Sequence, residues 1–206
     1  MRLVFCGTPQ FAVPTLEALL NAGHKVELVL SQPDRPGGRG LEVQFSSVKQ
    51  FSIQHGLALS QPEKIRNNPE LQKSIAGIAP DAIIIVAYGR LIPAWMLTLP
   101  RYGNLNLHAS LLPKYRGAAP IQWAVANGET ETGVTTMRID EGLDTGDILL
   151  QQRVPIYSDQ TSVELSPILA AVGAELMVKT LAGLEEGTLP AKPQEHSLAT
   201  LAPILR

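Results

Sequence analysis

Ala82-Ile83-Ile84-Ile85-Val86-Ala87 is an unbroken apolar run rich in β-branched residues. A strand with one face in water alternates polar and apolar side chains. This run does not, which marks a strand buried on both faces. Such strands belong to sheets covered by helices on either side, so the fold class expected is α/β, with a doubly wound, mostly parallel sheet.

The flanking sequence agrees. Residues 2–6 form a second apolar run, ended by Gly7-Thr8-Pro9. Residues 10–22 set Phe11, Leu16, Leu19 and Leu20 near helical spacing, with Pro14 in the first turn and Gly23 as a stop. Residues 26–30 read as a strand, 31–47 as a long loop rich in Pro, Gly and Arg, and 48–55 as a short helix closed by Gly56. A brief strand at 57–59 and a helix at 63–78 follow. Further strands are predicted at 105–107, 133–139 and 148–155, one or two helical turns at 93–99, and a helix at 118–126 stopped by Asn127-Gly128. Thr161 and Glu164 fit a capping box for a helix over 162–185 that contains Pro167. The tail from 188 to 206 has three prolines and no clear period, and reads as a linker or an extended closing segment.

Composition narrows the classes. The 206 residues are 45% hydrophobic and 17% charged, a globular balance, and the net charge of −2 excludes a bulk polyanion binder. Cys6 is the only cysteine, so no internal disulfide forms, and its apolar setting makes it a core thiol. The apolar run at 82–88 is too short to span a bilayer, and the first residues lack a signal-peptide pattern. A cytoplasmic protein without membrane contact, and a monomer, is expected.

Ligands of such sheets sit beyond the carboxyl ends of the strands. Two segments fall there: Asn106-Leu107-His108-Ala109-Ser110-Leu111-Leu112-Pro113 and Gly142-Leu143-Asp144-Thr145-Gly146-Asp147. Asn106 and His108 are two residues apart, on one face of an extended backbone. A carboxylate in a glycine-rich loop can reach the imidazole, and this set of groups suits acyl-type transfer. Each also has a plainer reading, a hydrogen-bonded structural histidine and an aspartate turning its own backbone. His24 reads as a surface residue, His55 as a helix end, and His196 lies in the tail.

Other chemistry is disfavoured. Asp140, Glu141, Asp144 and Asp147 do not match a calcium-loop spacing and no thiolate joins them, so no metal is expected. Gly7-Thr8-Pro9 lacks the three spaced glycines of a dinucleotide site. Gly37-Gly38-Arg39-Gly40 lacks the Lys-Ser/Thr ending of a phosphate loop, although Arg35 and Arg39 can meet phosphates.

The Asn106-x-His108-x-Ser110-Leu111-Leu112-Pro113 pattern with Asp144 resembles the folate-dependent formyltransferase superfamily. Four strings narrow the likeness to the branch acting on methionyl-tRNA: Gly7-Thr8-Pro9-Gln10-Phe11-Ala12, Gln32-Pro33-Asp34-Arg35-Pro36, Tyr115-Arg116-Gly117-Ala118-Ala119-Pro120-Ile121-Gln122 and residues 142–147. The resemblance implies a Rossmann-like catalytic domain over 1–187, a linker-like tail at 188–206, and a missing C-terminal tRNA-binding domain. It implies 10-formyltetrahydrofolate as co-substrate and the methionine amino group of initiator Met-tRNA as acceptor. Asn106, His108 and Asp144 become the catalytic set. Tyr88, Gly89, Arg90, Leu91 and Ile92, with Ser110, Leu111, Leu112, Pro113 and Asp140, become the folate-holding parts. Phe11 would line the methionine pocket, and Arg35 and Arg39 would meet the tRNA acceptor end. The sequence departs from the family at Leu41-Glu42-Val43, where basic residues are usual, and at Pro167. The alternatives that share the trio are a formyltransferase for an amino-sugar nucleotide and a formyl-folate hydrolase. A non-catalytic RNA-docking fragment is the alternative from another class.

Overall fold

The computed structural model describes residues 1–37 and 42–205. Arg39 therefore lies outside the described residues. Two compact units are found, Met1–Asn104 and Leu105–Arg206.

The first unit contains β1 (Arg2–Gly7), α1 (Val13–Asn21), β2 (Lys25–Leu30), β3 (Arg35–Gly37), β4 (Glu42–Gln44), α2 (Ser47–Gln54), β5 (Leu59–Ser60), α3 (Pro69–Ile78), β6 (Ala82–Val86) and α4 (Ala94–Leu97). Four of its strands pair in the order β5-β2-β1-β6, all parallel. All five residues of β6 are buried, as are Leu3, Val4, Phe5 and Cys6 of β1. Burial pushes the Cys6 thiol far above its ordinary range, so it is an inert core group. Leu16 and Leu19 of α1 and Ile75 of α3 complete this core.

Two sequence expectations change here. The 31–47 stretch is not all loop, because β3 and β4 pair antiparallel within it. The helix expected from residue 63 begins only at Pro69. Proline disfavours the helical region for the residue before it, and Asn68 caps the helix by accepting the Leu71 N–H at 3.0 Å.

The second unit begins within β7 (Asn104–His108) and continues through α5 (Pro120–Ala126), β8 (Glu131–Arg138), β9 (Ile148–Pro155) and α6 (Ser162–Glu186). Strands β7, β8 and β9 pair antiparallel in that order. The chain is thus an α/β protein of the doubly wound class with mixed pairing, β5-β2-β1-β6 parallel and β7-β8-β9 antiparallel. Helix α6 packs on β8 and β9 and buries Leu165, Leu169, Met177 and Leu181. A hydroxyl pair, Thr136 on β8 and Thr180 on α6, is buried in this contact at 2.7 Å. α6 runs unbroken through Pro167, whose lost bond would have gone to the carbonyl of Val163, an exposed residue. By length and composition α6 could cross a membrane, with a mean hydropathy of 1.5 over 18 residues, but half of that window is buried within the fold.

The capping box read from the sequence is present. Thr161 Oγ1 accepts the Glu164 N–H at 3.3 Å, and Glu164 Oε2 accepts the Thr161 N–H at 2.9 Å. Replacing Thr161 with alanine leaves the Glu164 N–H to water and is expected to cost about 1 kcal/mol. Urea denaturation of the Thr161→Ala chain, read as a lower midpoint at constant slope, checks this.

Candidate functional site

His108 ends β7 and is 5% exposed. Its Nε2 lies 2.8 Å from the Tyr115 carbonyl oxygen. A carbonyl only accepts, so Nε2 carries the proton. Nδ1 is left as the nitrogen available for chemistry, and it lies 3.6 Å from Asp144 Oδ2. That is ion-pair range and too long for a hydrogen bond. The same Oδ2 accepts the Gly117 N–H at 2.8 Å. The imidazole is thus tied at one nitrogen and faced by a carboxylate at the other.

Backbone geometry sets both neighbours. Tyr115 and Asp144 have φ of 61° and 51°, left-handed values that non-glycine residues seldom adopt. Each costs on the order of 1–2 kcal/mol, less for aspartate, and persists only where the surroundings over-determine it. Tyr115 is fixed by its side chain. Its hydroxyl donates to Glu129 Oε1 at 2.7 Å and accepts from Asn127 Nδ2 at 3.0 Å, while its ring packs with Ala124 and Ala202. Asp144 lies in the irregular loop between β8 and β9. Within that loop Asp140 Oδ1 accepts from the Gly142 N–H and the Thr145 hydroxyl, at 3.0 and 2.7 Å.

Asn106 sits two residues before His108 on β7, half-buried, and its side chain makes no hydrogen bond among the described residues. An amide with both ends unused at such a place suits a ligand carbonyl. Ser110 is engaged otherwise. Its hydroxyl donates to the Lys114 carbonyl at 2.6 Å, closing the turn that holds Leu111, Leu112 and Pro113. The Leu112–Pro113 peptide is cis. Thr135, opposite His108 in the β7–β8 register, pins this turn: its hydroxyl donates to the Ser110 carbonyl and accepts the Leu112 N–H.

The remaining predicted site residues belong to the first unit. Tyr88 is buried and follows β6, and the segment beyond it is anchored by Gln32 Nε2, which donates to the Tyr88 and Gly89 carbonyls at 2.8 and 3.3 Å. Arg90 is tied to the Glu63 carbonyl, and Leu91 is 89% exposed. Phe11 is half-buried in the turn before α1, and Arg35 is exposed on β3.

Sequence reasoning missed three contributors: Arg116, Gln194 and His196. Arg116 Nε and Nη2 both donate to Gln194 Oε1, at 3.1 and 2.6 Å, and Nη2 also meets His196 Nδ1 at 3.0 Å. Gln194 Nε2 donates to the Asp144 and Gly146 carbonyls at 2.9 and 2.7 Å. The tail that carries Gln194 is packed into the second unit. Lys192 exchanges backbone bonds with Ile148, and Ala202 donates its N–H to the Arg116 carbonyl and accepts the Ala119 N–H. The paired Arg116-Gly117 in the sequence was a visible signal; nothing in the tail pointed to Gln194.

The Tyr115 hydroxyl holds the Glu129 carboxyl below the ordinary carboxylate value, and Lys114 adds to this. A lowered folded-state value contributes stability above the unfolded value, lost as pH falls through the folded one. Glu129→Gln should therefore be less stable than the parent near neutrality, with the gap closing on acidification. Thermal melts of both chains between pH 7 and pH 3 test the sign.

Residues 1–181 match the formyl transferase family. The chain is 68% identical over 205 residues to the methionyl-tRNA formyltransferase of Acidobacterium capsulatum, and 62% over 206 to that of Koribacter versatilis. Both matches cover 100% of this chain and 66% of the relative, so the chain spans just under two thirds of these proteins' length. Among solved structures it resembles glycinamide ribonucleotide transformylase 1 from Symbiobacterium toebii, with a TM-score of 0.77 and 20% identity over 95% of this chain and 94% of that one. It also resembles an N-formyltransferase from Helicobacter canadensis in complex with folinic acid and dTDP-3-aminofucose, with a TM-score of 0.70 and 20% identity over 98% of this chain and 70% of the other. At that identity the structural likeness speaks for the fold alone.

Proposed function

Since the chain belongs to the formyl transferase family, we propose that it moves a formyl group from 10-formyltetrahydrofolate to the methionine amino group of initiator Met-tRNA. Whole-chain identity of 68% to a methionyl-tRNA formyltransferase supports this choice of acceptor. The observation that carries the chemistry is the singly tied imidazole of His108, with Nδ1 facing a carboxylate.

An α-amino group has a pKa near ~7.7–8.0, so a sizeable part of it is neutral at the pH of most cells and no strong base is needed. The amine nitrogen adds to the formyl carbon, and the carbonyl electrons move to oxygen. The Asn106 amide N–H steadies that oxyanion. The amine proton passes to His108 Nδ1, directly or through water, because Nε2 is committed to Tyr115. Asp144 steadies the imidazolium. His108 then returns the proton to the folate nitrogen as its bond to the formyl carbon breaks. No acyl-enzyme is required, and Ser110 is already used in its turn.

The folate would rest on Tyr88 to Ile92, Ser110 to Pro113, and Asp140. Phe11 would border the methionine side chain, while Arg35 and Arg39 would meet tRNA phosphates. Residues 1–187 would carry the catalytic domain.

Purified chain, 10-formyltetrahydrofolate and charged initiator tRNA should yield formyl-methionine, identified by mass. Formylation of an amino-sugar nucleotide instead, or release of formate alone, overturns the reading. Loss of a positioned acid–base group costs on the order of 10²–10⁴ in rate. His108→Ala should therefore lose turnover on that scale while folate affinity stays roughly constant, measured by single-turnover transfer and by folate titration.

A further inference from the structure

The bonds to Asp140 order the loop around Asp144 from within, and its left-handed backbone also has a hold from outside. Gln194 supplies it from a segment 50 residues away. Gln194 is 5% exposed, and its carboxamide accepts at one end and donates at the other. Oε1 receives two N–H groups from Arg116; Nε2 gives its hydrogens to the carbonyls of Asp144 and Gly146. The reversed amide would set donors against the guanidinium and an oxygen against two carbonyls, so the orientation is fixed. Arg116 is itself 7% exposed and has no carboxylate within ion-pair distance among the described residues. A buried cation without a counter-charge is costly, and its position is explained by what it orients. Its own backbone is locked too, because its N–H goes to the Thr200 carbonyl and its carbonyl accepts the Ala202 N–H.

We infer that Gln194, held by Arg116, is a positioning residue that fixes Asp144 opposite His108 Nδ1. This inference rests on the catalytic reading of His108 and Asp144 given above. Gln194 touches no reacting group. It acts through the backbone carbonyls of Asp144 and Gly146, and a shift of about 1 Å at a reacting group can cost 10²-fold in rate.

Gln194→Glu separates the two halves of the clamp. It keeps the side-chain length and gives Arg116 a carboxylate, but turns an oxygen toward the Asp144 and Gly146 carbonyls. The expected result is a folded chain with kcat lowered on the order of 10–100-fold and KM for both substrates little changed. In an Asp144→Asn background the added Gln194→Glu should cost less than about 2-fold, because a residue acting only through Asp144 has nothing left to position. Where Gln194→Glu does not fold, the pair Arg116→Met with Gln194→Met removes the cation and its partner together, and the same measurements apply. Parental kcat in the folded variant overturns the inference, as does an undiminished penalty in the Asp144→Asn background. Parent protein inactive toward every acceptor would instead sink the functional reading, so the two failures are distinct.

Discussion

The hydrogen bond from His108 Nε2 to the Tyr115 carbonyl is the constraint on which the candidate site turns. It decides which nitrogen can move a proton, and it fixes the plane of the ring. It exists only because Tyr115 adopts a left-handed backbone that swings its carbonyl toward β7. That conformation is unfavourable alone. The hydroxyl network with Glu129 and Asn127 and the packing against Ala124 and Ala202 offset it. A residue seen as part of a sequence motif thus contributes to the site through its main chain, while its side chain serves as the anchor.

This division explains what could be read in the sequence and what could not. The buried strands β1 and β6 were legible because burial on both faces leaves a continuous apolar run. The capping box of α6 was legible because its partners are three residues apart. The start of α3 was misjudged by six residues, since periodicity alone ignores how Pro69 excludes the preceding residue from the helix. Asn106, His108 and Asp144 could be nominated because their chemistry resides in side chains. Gln194 could not: it speaks to carbonyls, which every residue has, across 48 and 50 positions of chain. A proline-rich tail without periodicity gives no hint that one of its amides is buried.

The acceptor and the reaction rest on different kinds of support. Proteins of the same fold carry different molecules in their names, a glycinamide ribonucleotide in one and, in another, a complex with dTDP-3-aminofucose. In the proposed reaction a tied imidazole, a carboxylate and an amide would serve attack by any amine on a formyl carbon. The acceptor has to be chosen by surfaces around that centre, which is why sequence identity and not fold speaks to it.

Helix α6 presents a different problem to the cell. On leaving the ribosome, it carries an 18-residue window of mean hydropathy 1.5, long and apolar enough by length and composition to cross a membrane. The strands that cover it, β8 and β9, lie earlier in the chain and are synthesised first. Its dock can therefore await it as it emerges, so the order of elements along the chain itself shortens the interval in which a translating chain leaves this apolar helix uncovered.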